Sequence, residues 1–152
     1  MTESRRQAPN FAPVTARATA SYGLGFLAYL PVPVLSMVVA AIVMIALYPS
    51  QRRNGGIASE NGRRAANWGI TVLASVFVLI AGLAAALLTT EPTTRIALLL
   101  TALGYVLLST VHAAVVTIGV IFTILGRIFP NPIAIPFIRE PRGYSARGNE
   151  NG

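Results

Sequence analysis

Three long apolar runs separated by short polar segments dominate the chain. The first covers residues 22–47, the second 66–88 and the third 96–125. None carries Asp, Glu, Lys or Arg inside it. At 1.5 Å per residue the second run reaches roughly 34 Å, enough for a hydrocarbon core of about 30 Å. The third reaches roughly 45 Å, so it tilts or projects beyond the bilayer. The first run is interrupted by Pro31-Val32-Pro33. Each proline lacks a donor and disfavours helix just before its ring. Either a single kinked helix spans there, or the proline pair is the tip of a hairpin with arms of about 14–16 residues. Such arms span roughly 21–24 Å, short for a crossing.

The polar segments complete the organisation. Residues 1–15 read as a disordered tail, and 16–127 as one transmembrane helical domain. The segment 48–65 reads as a polar loop and 89–95 as a short turn. Residues 128–142 hold Pro130, Pro132 and Pro136 among apolar residues, so they form no helix. They suit the membrane surface or the outside of the bundle. Residues 143–152 read as a second disordered tail. The run at 22–47 is too long for a signal-peptide core, so it is expected to be retained.

Composition strengthens the membrane reading. Of 152 residues, 54% are hydrophobic and 11% charged, with a net charge of +7. A soluble domain carries about 25% charged residues. The expected class is therefore an all-α integral membrane protein, a bundle of three to four helices in contact with the lipid bilayer. All twelve basic residues are Arg and all five acids are Glu, a usage that suits a bacterium with GC-rich coding. The Arg residues flank the apolar runs, where the positive-inside rule puts them, and do not form a nucleic-acid patch.

Counting Arg gives an orientation. Residues 48–65 hold Arg52, Arg53, Arg63 and Arg64, and four more follow the third run. The turn holds only Arg95, and Arg5, Arg6 and Arg17 precede the first run. The loop and the C-terminus are therefore expected on the cytoplasmic face of a bacterial plasma membrane. A single first span splits the Arg eight inside to four outside; a hairpin splits them eleven to one. Charge favours the hairpin, and arm length the single span. The balance falls to the hairpin.

The polar segment leads into the second run as Ser59-Glu60-Asn61-Gly62-Arg63-Arg64-Ala65-Ala66-Asn67-Trp68. This resembles a bacterial family of small membrane proteins of unknown function. That family is distantly similar to the membrane subunit of the chloroplast inner-envelope import translocon. The family pattern has an acid, often a His, then Ala-Leu-Asn-aromatic leading into a helix. Glu60, Ala65, Asn67 and Trp68 match it, whereas Asn61 stands where His is common and Arg64 where an acid is common. The ending Ile135-Pro136-Phe137-Ile138-Arg139 matches a second family feature. The resemblance covers roughly residues 20–139. It implies a bundle of three to four helices and no assigned activity.

Chemistry-bearing residues are scarce. The chain has one His and no Cys or Asp. A zinc site needs three or four such ligands, so no metal or other cofactor is expected. A Ser-His-Asp triad lacks its Asp and no phosphate loop occurs, so no enzyme is expected. His112 lies mid-run, where an ionisable group is a functional candidate. The structural alternative is a neutral imidazole bonded to a neighbouring hydroxyl such as Ser109. Ser109, Ala113 and Thr117 recur every four residues, as do Ala81 and Ala85, a spacing that lets helices approach closely in lipid. Trp68 is expected at interfacial depth, and Asn67 as a helix cap or a bond across helices. Arg52, Arg53, Arg63 and Arg64 are expected to anchor lipid headgroups. The expected function is a non-enzymatic accessory or scaffold subunit acting through helix faces, as a homo-oligomer or in a larger membrane complex. The opposing class is a component of a transport or protein-translocation assembly.

Overall fold

A computed structural model describes residues 19–29 and 33–139. The expected tails at 1–15 and 143–152, and the tip residue Pro31, lie outside the described residues. Those described are helical or irregular, with no strand among them. A helical turn at 19–23 passes into a 3-10 helix, Leu24–Tyr29. Three long helices follow: α1 (Pro33–Asn54), α2 (Gly56–Ala86) and α3 (Glu91–Ile124). All three are long and apolar enough to cross a membrane. The protein is an all-α membrane bundle.

Residues 19–29 and α1 run antiparallel. The Ser36 hydroxyl donates to the Ala28 carbonyl at 3.0 Å, and Gly25 lies against Met44, further along α1. The first apolar run therefore turns back on itself, as Arg counting favours. Pro33 opens α1, where a missing N–H costs nothing and the fixed φ suits the first turn.

The expected polar loop at 48–65 is not a loop. α1 continues to Asn54 through Pro49, and α2 begins at Gly56. Gly55 (φ 65°) and Gly56 (φ 52°) make the reversal, in a region that favours glycine. Half of the rest of the segment is Gln, Arg, Glu and Ala, good helix formers. Its polarity marks where the helices leave apolar surroundings and does not mark where they end. The turn expected at 89–95 is shortened likewise, because α3 starts at Glu91 with Pro92 in its first turn. The acid there suits the positive helix N-terminus.

α3 closes with a Schellman arrangement. The Arg127 N–H donates to the Phe122 carbonyl at 2.8 Å and the Gly126 N–H to Thr123 at 3.1 Å, with Gly126 at φ 66°. Residues 127–139 then return along α2 as an irregular strap.

α1 and α2 approach closely at Gly69, where an added Cβ would stand 2.7 Å from the Ala41 carbonyl oxygen. Gly119 of α3 makes room for the fully buried Tyr22 ring, which also meets Phe129 edge-on at 5.8 Å. The small-residue seam thus differs from the expected one. On α3 the buried line is His112, Val115, Val116, Gly119 and Thr123. Ser109 and Ala113 are half-buried, and Thr117, Ala81 and Ala85 are exposed. A one-residue offset on a helix rotates the face by about 100°, enough to separate the two lines.

The bundle is thick at one end and thin at the other. α2 has no buried residue from Phe77 until Ala86, and α3 has none before His112. At the thin end α2 and α3 form a bare hairpin with Phe77, Leu88 and Leu99 exposed.

Candidate functional site

The first polar constellation lies within the thick half. His112 is fully buried. The Trp68 indole N–H donates to His112 Nδ1 at 3.1 Å. An indole nitrogen only donates, so Nδ1 is the acceptor and the imidazole proton sits on Nε2. Nε2–H donates to the Gly25 carbonyl at 3.0 Å. Gly25 lies in the 3-10 stretch, where backbone hydrogen-bond geometry is poorer than in an α-helix. Its carbonyl takes a partner from α3, and three elements are joined through one imidazole.

His112 bonds across the bundle to Trp68 and Gly25. Trp68 is buried within the protein, at 3% exposure. α2 starts twelve residues before it, so Trp68 lies three turns inside the helix.

The second constellation is a polar ladder on the first half of α2. Asn61 Nδ2 donates to the Arg127 carbonyl at 3.0 Å, and Asn61 Oδ1 accepts the Phe129 N–H at 2.9 Å. Asn67 repeats this at the far end of the strap. Its Oδ1 accepts the Ile138 N–H at 2.7 Å and its Nδ2 donates to the Ile138 carbonyl at 3.2 Å. Thr71 Oγ1 accepts the Ile135 N–H at 3.0 Å. Arg64 donates to the Phe129 carbonyl and Arg63 to that of Ile138, both at 3.0 Å. Glu60 bonds both guanidinium groups, at 2.6–3.0 Å. A proline-rich strap satisfies little of its own backbone, the Phe137 N–H to the Ile135 carbonyl at 2.9 Å being one internal bond, and an unpaired buried peptide group is costly. The ladder supplies those partners from side chains.

Asn67 is thus neither a cap nor a bond between long helices. Arg63 and Arg64 are directed into the fold and engaged there, while Arg52 and Arg53 are exposed at the end of α1. Asn61 is the ladder residue that sequence reasoning passed over as a mere departure from a family pattern. A signal existed: Asn61, Arg64, Asn67 and Thr71 sit on one helix face at spacings of three and four.

Among the described residues no three His, Cys, Asp or Glu side chains gather as a metal site. No protein family, curated protein or solved structure matches the chain. The two stretches that carry the resemblance noted above, around Asn67 and at Ile135 to Arg139, are bonded to each other in this fold.

Proposed function

We propose that the chain is a non-enzymatic scaffold or accessory subunit of a bacterial plasma membrane, working through its helix faces. The observation that carries this reading is where its polar groups point. His112, Trp68, Asn61, Asn67, Arg63 and Arg64 all bond other parts of the same chain. A conducting path needs polar groups lining a channel. Here they hold helices and a strap together. What is left for contact with neighbours is the apolar surface of the thin end, where Phe77 is 73% and Leu99 72% exposed.

The orientation is part of the same proposal. Arg52, Arg53, Arg63, Arg64, Arg127 and Arg139 collect at one end of the bundle, where Glu60 pairs with Arg63 and Arg64, whereas Arg95 faces Glu91 at the other. The positive-inside rule puts the Arg-rich end, with the C-terminal strap, in the cytoplasm. Membership of the small bacterial family belongs here too, supported by the contact between its two matching stretches.

Photo-crosslinking in native membranes tests the scaffold role. A photoreactive residue at Phe77 or Leu99 is expected to give a discrete protein adduct, from a second copy or another subunit. The same residue at the buried Val72 should give none. Lipid adducts alone at both exposed positions would contradict it.

A further inference from the structure

The last two turns of α1 carry a feature on their exposed side. Tyr48, Pro49, Arg52 and Arg53 line a surface cavity of about 420 Å³. Residues at i, i+1, i+4 and i+5 share one side of a helix, so one short stretch of α1 builds the whole wall. Arg63 and Arg64 are bonded by Glu60, and Arg95 by Glu91. Among the described residues no carboxylate pairs with Arg52 or Arg53. Both are exposed, and they follow the apolar stretch of α1 directly. That places two guanidinium groups, a phenol and a proline ring at the depth where a bilayer turns from acyl chain to headgroup.

We propose that this cavity binds the phosphate group of an anionic phospholipid, one per chain. Guanidinium groups match phosphate oxygens in a planar fork and shed water more readily than ammonium groups. The Tyr48 and Pro49 rings offer an apolar wall to the glycerol and ester region. The carbonyls ending α1 carry partial negative charge, so the anion is held by the side-chain tips and not by the backbone. This differs from a diffuse attraction of the whole basic end. Arg127 and Arg139 belong to that end and are equally exposed, but they do not line the cavity.

Purified protein in neutral detergent, titrated with phosphatidylglycerol or phosphatidylcholine and read by native mass spectrometry, tests the site. The expected result is one retained phosphatidylglycerol and no comparable retention of phosphatidylcholine. The double variant Arg52→Gln/Arg53→Gln should weaken that binding about tenfold or more. Arg127→Gln/Arg139→Gln removes the same charge from the same end and should leave it within about twofold. Equal losses from the two double variants would overturn the site in favour of diffuse attraction. Equal retention of the two lipids would overturn it as well. Displacement of the lipid by equimolar glycerol 3-phosphate would reassign the cavity to a soluble phosphate ester.

Discussion

The indole N–H of Trp68 and the Nδ1 of His112 meet at 3.1 Å inside the bundle, and this one bond fixes the tautomer of the chain's single histidine. The remaining proton is directed at the Gly25 carbonyl. An imidazole held from both sides acts as a joint between α2, α3 and the N-terminal arm.

The joint makes His112→Leu and His112→Gln unequal. Leu leaves the Trp68 donor and the Gly25 acceptor without partners and should cost about 1–2 kcal/mol, the range found for hydrogen bonds inside membranes. Gln offers one acceptor and one donor and should cost less. Thermal unfolding in detergent, followed by Trp68 fluorescence, measures both. Equal losses would show that hydrogen bonding is not what His112 contributes. Nitrogen-15 shifts of the imidazole should report the Nε2–H form.

The strap depends on Asn67 at its far end. Asn67→Leu removes both bonds to Ile138 and should cost about 1–2 kcal/mol locally. Hydrogen exchange at the Ile138 amide should then accelerate by about tenfold or more. Phe129, held by Asn61, should keep its protection. Loss of protection along the whole strap would mean that it detaches as one unit.

Glu60 organises the same ladder from beneath. Glu60→Gln removes the charge that orients Arg63 and Arg64 toward the strap carbonyls. The pairs are partly exposed, with side-chain exposures of 15–29%, so the cost should stay near 1 kcal/mol. Exchange at Ile138 should still rise, because Arg63 loses its support. Unchanged exchange there would show that the arginines reach the strap without Glu60.

Close packing of α1 on α2 rests on Gly69. A Cβ there meets the Ala41 carbonyl oxygen, which is backbone and cannot turn aside. Gly69→Ala should cost about 1–3 kcal/mol, the usual range for overpacking. Ala81→Leu, on the exposed face, should cost almost nothing in detergent. Thermal melts of the two variants side by side would check this, and equal stability would contradict the seam.

Much of the architecture is legible in the sequence because a bilayer demands uninterrupted apolar length, and 66–88 and 96–125 supply it. The turn-back of the first run is legible in the Arg at both of its ends, which a reversal at Pro31 and Pro33 puts on one side. The true helix ends are not legible. Composition reports where a helix meets water, whereas Gly55-Gly56 and Gly126, with φ between 52° and 66°, decide where the chain reverses. His112 and Asn67 stand out in sequence as polar residues in or beside apolar runs. Their partners do not, because a backbone carbonyl such as that of Gly25 or Ile138 leaves no mark in a residue pattern.

The central claim is that the buried polar groups hold the fold and do not form a path. Proton and ion flux into liposomes containing the purified protein, read with an internal pH dye and a potential-sensitive dye, tests it most directly. The expected result is flux equal to that of empty liposomes, for the wild type and for His112→Gln alike. Flux in the wild type that His112→Gln abolishes, in a variant that still folds, would contradict the claim and make the imidazole part of a transport route.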